Sequence, residues 1–180
     1  MEALNLILTS SIIATIVSAI VSYIISIRLK KLDFKNEYYK EILKKRLVAY
    51  EHIEIQLSLL KAVVLGYDKL PYHVIFGEGE NKFLEYQTNL FLAINKSLWI
   101  DSETAQSLEV LNDLFFNLNN KVFGKKDEEI VEIGKQYYKK LSDLRFELEN
   151  KTKKGLYNLH DMEKAFKTEK KNKQRIIYEM

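Results

Sequence analysis

Hydrophobic and polar positions divide the chain into one uninterrupted apolar stretch and a long series of striped segments. Leu6 to Ile27 contains no charged residue: twelve positions are Leu, Ile or Val, two are Ala, one is Tyr and seven are Ser or Thr. A helix of 22 residues spans about 33 Å at roughly 1.5 Å per residue, close to the ~30 Å hydrocarbon core of a bilayer. A helix buried in a small soluble domain carries charge on its outer face, and this one carries none for six turns. Ser and Thr can return their hydroxyls to a carbonyl one turn earlier, so they are tolerated in a span. Each Leu, Ile or Val near the centre favours insertion by about 0.3–0.6 kcal/mol. The pattern predicts a membrane-spanning helix. The alternatives are a cleaved signal peptide and a core helix. A signal peptide has a basic start and a shorter apolar run, whereas this chain begins Met-Glu-Ala-Leu-Asn.

Beyond the span the apolar period is helical. Leu43, Leu47, Tyr50, Ile53, Leu57, Leu60 and Val64 mark one face, and Pro and Gly are missing from Met1 to Val64. The spacing predicts a helix over 33–65, capped by Gly66, which either continues directly out of the span as a stalk or starts afresh. Residues 72–81, YHVIFGEGEN, predict a loop with a short extended piece at 73–76. Phe83, Leu84, Leu90, Phe91, Ile94 and Leu98 predict a second helix, ending near Trp99. Asp101 or Ser102 caps a third, with Leu108, Leu111, Leu114, Phe115, Leu118, Val122 and Phe123 on its apolar side and Gly124 closing it. Asp127 is the expected cap of a fourth, striped by Ile130, Ile133, Tyr137, Leu141, Leu144 and Leu148 and ending between Asn150 and Gly155. A short amphipathic piece is expected over 156–166. The fold expected is all-α: an N-terminal transmembrane helix followed by an antiparallel bundle of about four helices. The expected division is an anchor with a basic collar over 1–31, a helical body over 32–160 and a charged tail over 161–180.

Composition sharpens this picture at three points. One proline and six glycines favour long helices over a turn-rich β fold. There is no cysteine, which excludes disulfides and thiolate metal sites and fits a reducing compartment. The net charge of +3 is unevenly placed. Arg28, Lys30 and Lys31 follow the span, residues 32–149 carry 16 basic and 20 acidic groups, and residues 150–180 carry nine basic and four acidic. By the positive-inside rule, the C-terminal body lies in the cytoplasm and the short N-terminus outside. The expected location is the cell inner membrane, single-pass.

Ser10, Ala14, Ser18, Ser22 and Ser26 recur every fourth residue, as in small-xxx-small packing faces. They are the candidate membrane-helix packing residues, and self-association through them is one reading; chance occurrence in an idle anchor is the other. Arg28, Lys30 and Lys31 are the candidate topology and lipid-contact residues. Lys164, Lys167, Lys170, Lys171, Lys173 and Arg175 form a possible anion-binding tail. Phe166 is the tail's only aromatic between Lys164 and Arg175, so base stacking is missing and nucleic acid is the weaker candidate there. A solvated tail is the plainest reading, and lipid contact comes next.

No catalytic, cofactor or metal residues are assigned. His52, His73 and His160 show no metal-ligand spacing and are expected at surfaces or caps. GEGE at 77–80 is neither a P-loop nor a dinucleotide fingerprint, and no serine elbow or cysteine nucleophile is present. The chain is therefore not expected to be an enzyme or to hold a cofactor. Tyr38-Tyr39 are placed for interfacial anchoring, and Tyr137-Tyr138 for bundle packing.

The anchor followed by NEYYKEILKKRLVAYEHIE, residues 36–54, resembles small bacterial and prophage membrane proteins with one N-terminal anchor and a cytoplasmic helical body, of the phage-exclusion or abortive-infection type. The likeness covers the first third of the chain. It implies a role in blocking phage infection and transfers no catalytic residue. Three functions are expected in order: a membrane-anchored interaction or sensor protein with an unidentified protein partner, a membrane-active oligomeric effector, and a membrane-tethered nucleic-acid-binding protein.

Overall fold

The computed structural model describes residues 2–159, with side chains described from residue 11. Among the described residues the protein is all-α apart from one small hairpin. Helix α1 runs over Glu2–Lys61, β1 over Val63–Leu65, β2 over Pro71–His73, α2 over Gly79–Ile94, α3 over Ser102–Val122 and α4 over Asp127–Tyr157. Short 3-10 turns cover Val74–Phe76 and Ser97–Trp99. The chain forms two compact units that divide between Ile42 and Leu43.

The first unit consists of the N-terminal part of α1. It contains no Pro or Gly to break it, and the helix passes through the basic collar without interruption. The continuous alternative is thus the one observed, with α1 a single helix over Glu2–Lys61.

The second unit is an antiparallel bundle built from the end of α1 and from α2, α3 and α4. Ile53, Leu57 and Leu60 of α1 are buried with Phe83 and Leu90 of α2, Leu108, Leu111 and Leu118 of α3, and Ile130, Leu141 and Leu148 of α4. These are largely the stripes that the spacing predicts. Phe83 stacks on Phe115 at 5.5 Å, Tyr86 meets the same ring at 4.6 Å, and Phe76 lies 5.4 Å from Phe83. Such aromatic pairs add about 0.5–1.5 kcal/mol each beyond area burial.

The structure corrects the expected end of the first cytoplasmic helix. It stops at Lys61, and Val63–Leu65 form a strand instead of a last turn. Val63 and Val64 are β-branched and give the helix little support. Across the turn, Val63 pairs with His73, Val64 with Tyr72 and Leu65 with Pro71. Gly66 is therefore a hairpin residue, not a helix cap: its N–H donates to the Leu70 carbonyl at 2.9 Å. The expected extended piece is real but lies two residues earlier, at Pro71–His73.

The caps behave unequally. Asp101 caps α3, with Oδ1 accepting from Thr104 N at 3.0 Å. At α4 the cap is Lys126, one residue before the expected Asp127, and Glu129 Oε2 accepts from Lys126 N at 3.1 Å. Helix α4 continues to Tyr157, beyond the expected end. The helix runs through Gly155 although glycine is a poor helix former, and a side chain there would overlap its neighbours. The amphipathic piece expected over 156–166 lies mostly outside the described residues.

Candidate functional site

In the first unit the site is the apolar helix itself. From Ile12 to Ile27 every apolar side chain is exposed, and none of the apolar window is buried. By length and composition α1 is able to cross a membrane. Single exposed apolar residues are ordinary on protein surfaces, but a contiguous apolar cylinder is not. Among the hydroxyls, Thr15 Oγ1 donates to the Ser11 carbonyl at 2.9 Å. That bond is the back-donation that lets a threonine sit in hydrocarbon.

Ala14, Ser18, Ser22 and Ser26 are all exposed on α1. The side chain of Ser10 lies outside the described residues. Arg28, Lys30 and Lys31 are likewise exposed immediately after the apolar stretch. Lys35 Nζ sits 5.6 Å from the centre of the Tyr39 ring, and the Tyr38 and Tyr39 rings are 6.5 Å apart. Lys164, Lys167, Lys170, Lys171, Lys173 and Arg175 lie outside the described residues.

In the second unit a buried polar cluster ties α1 to α3 and α4. Arg46 is 2 % exposed. Its Nη1 donates to the Leu159 carbonyl at 2.6 Å and its Nε to the Trp99 carbonyl at 3.3 Å. One turn on, Tyr50 Oη donates to Asp101 Oδ2 at 2.7 Å, and the same oxygen accepts from Thr104 Oγ1 at 2.7 Å. Gly155 lines the cluster: an added Cβ would overlap both the Tyr50 hydroxyl and Asp101 Oδ2. Lys45 Nζ lies 4.8 Å from the Trp99 ring centre. The hydrophobic pattern assigned Leu47 to this face. Leu47 is exposed, and Arg46 takes the inward place.

Burial first, and then the hydrogen bond to Asp101, push the Tyr50 pKa up to about 12. The phenol stays protonated at neutral pH and acts only as a donor. His73, expected at a surface or cap, is fully buried instead. Its Nε2 lies 3.3 Å from Ser142 Oγ, and its ring is 5.1 Å from Tyr138. Burial lowers its pKa, and the Arg145 charge acts in the same direction. The Leu60 and Tyr138 carbonyls oppose that shift, but Nδ1 itself has no partner at hydrogen-bond geometry. Both groups are thereby held in one protonation state near neutral pH. Both side chains pack inside the body. Among the described residues, no three His, Asp or Glu side chains converge as metal ligands.

Two open clefts mark the body surface. One, of about 700 Å³, lies beside the hairpin and is lined by Leu65, Tyr67, Asp68, Glu132 and Lys135. Lys135 Nζ pairs there with Asp68 at 2.8 Å and Glu132 at 2.5 Å. The other, of about 560 Å³, runs between α3 and α4 past Val110, Leu114, Lys139, Lys140 and Asp143. Both mix apolar and charged walls.

No protein-family model matches the sequence, and neither a curated protein nor a solved structure matches it. Among the described residues the molecule is all-α, with one candidate membrane-spanning helix and a four-helix body.

Proposed function

We propose that the protein is a membrane-anchored helical interaction or sensor protein. In this reading it crosses a bacterial inner membrane once, with its N-terminus outside and its body at the cytoplasmic face. Copies associate through the membrane helix, and the body engages a protein partner. The observation that carries the proposal is the apolar helix from Ile12 to Ile27, exposed on every side. In water that surface would be strongly unfavourable, and a bilayer removes it from water. The basic residues Arg28, Lys30 and Lys31 set the orientation through the positive-inside bias.

The body favours binding over chemistry. Tyr50 and His73 are buried in fixed protonation states, and the mixed clefts beside the hairpin and between α3 and α4 suit protein side chains. A role in phage resistance enters through the resemblance of residues 36–54. The test is photo-crosslinking from Tyr67 and Val110 positions of the full chain in cells, combined with phage plating. A discrete adduct that depends on the span, together with reduced plating, is the expected result. Membrane depolarisation on expression with no adduct would favour the bilayer-perturbing effector instead.

A further inference from the structure

We propose that α1, from the last turn of the apolar stretch into the segment after it, is a parallel two-helix coiled-coil seam for a second copy of this chain, running through Ile25, Leu29, Leu32, Asn36 and Tyr39. The inference rests on the membrane reading above and gives its self-association a specific interface.

The spacing of these residues is 4, 3, 4 and 3, a strict heptad alternation. Ile25, Leu32 and Tyr39 occupy d positions, and Leu29 and Asn36 occupy a. All five are exposed in the first unit, with Leu29 and Leu32 more than half exposed. Upstream, Ser18 and Ser22 fall in the same d and a frame, so the small-residue face leads into the apolar seam without a change of register.

Three features select a second copy as the occupant. Two copies anchored by the same span share one orientation, so their α1 helices are parallel. A lone polar Asn at an a position suits a parallel pair, because the two amides meet each other and fix register and strand number. The flanking charges are also self-complementary. Arg28 is at g and Asp33 is at the following e, the g-to-e′ relation that bridges parallel helices. The next such pair, Lys35 and Lys40, is like-charged. In the structure Lys35 turns to its own Tyr39 ring. The seam is therefore expected to close from Ile25 to Asn36 and to loosen towards Tyr39.

Two heptads alone are short for an independent coiled coil, since isolated helices below about 12–15 residues are marginal. Here the helix is already formed, and the bilayer confines both copies, which raises their effective concentration.

The cysteine-free chain allows a clean test in isolated membranes. Single variants Leu29→Cys, Leu32→Cys and Asn36→Cys are oxidised beside Lys30→Cys, Phe34→Cys and Glu37→Cys on other faces. Disulfide dimers at the first three and their loss at the second three are expected, because a disulfide needs Cβ atoms about 3.5–4.5 Å apart. Asp33→Lys, placed in the Leu32→Cys chain, is expected to reduce the dimer by setting a lysine against Arg28. Equal dimer at all six positions would mean random collision and overturn the seam. Dimer from Ser22→Cys but not from Leu29, Leu32 or Asn36 would keep self-association through the span and reject the seam. Membrane-bound protein with no dimer at any position would reject both. Protein absent from the membrane fraction would reject the anchor itself.

Discussion

The Tyr50 hydroxyl reaches Asp101 Oδ2 at 2.7 Å across the gap that Gly155 leaves open. Asp101 also caps α3 through Thr104. One carboxylate thus joins the start of α3 to α1, and α4 can pass only because residue 155 has no side chain.

Gly155→Ala is expected to destabilise the body by about 1–3 kcal/mol through overpacking, lowering its thermal midpoint by several degrees. Tyr50→Phe removes the hydroxyl that the new methyl meets. Alone it should lose about 1 kcal/mol with its hydrogen bond. The double variant should lose less than the sum of the two, and a thermal-unfolding double-mutant cycle on the full chain in detergent measures that coupling.

Arg46→Lys is expected to be destabilising although it keeps the charge. A lysine lacks the planar fork that serves two carbonyls together. The carbonyls of Trp99 and Leu159 would not both be satisfied, and an unsatisfied buried acceptor costs about 1–3 kcal/mol. Arg46→Ala should lose at least as much. Both are read by the shift in unfolding midpoint.

His73 makes stability depend on pH in a fixed direction. Its folded pKa lies below the ordinary histidine value, so the unfolded chain binds the proton more readily. Its contribution is fully present above about pH 6.5, the ordinary value, and is lost as pH falls from there towards the folded pKa. The unfolding midpoint should therefore drop between about pH 7.5 and 5. His73→Gln should flatten this part of the curve while lowering the midpoint at pH 7.5, because it disturbs the contacts to Ser142 and Tyr138.

Val17→Lys places a charge near the middle of the apolar stretch. A lysine at the centre of a span opposes insertion by about 2.5–3.5 kcal/mol, a large share of what the Leu, Ile and Val residues supply. Membrane retention after alkaline extraction should fall sharply, whereas Val110→Lys on α3 should leave it unchanged.

The helices of the body could be read from sequence where local signals set them. Leu108, Leu111, Leu118, Ile130, Leu141 and Leu148 have helical spacing and are buried. Asp101 is an ordinary cap signal and caps α3. What could not be read depends on residues distant in the chain. Arg46 turns inward because the carbonyls of Trp99 and Leu159 receive it, and no hydrophobic pattern reveals those partners. Helix α1 ends earlier than its apolar spacing implies because Val63 to Leu65 find a strand partner at Pro71–His73. The burial of His73 is not legible either, because a lone histidine carries no local sign of it. In the first unit the long apolar helix is legible from composition, because it needs no distant partner to be recognised.

Orientation across a membrane is tested most directly by Ser58→Cys in the cysteine-free chain, since Ser58 is exposed on the body. Cells and washed membranes are treated with a membrane-impermeant thiol reagent before and after permeabilisation. Protein in the membrane fraction that is labelled only after permeabilisation is the expected result. Labelling in intact cells would place the body outside and contradict the orientation, and protein in the soluble fraction would contradict the span.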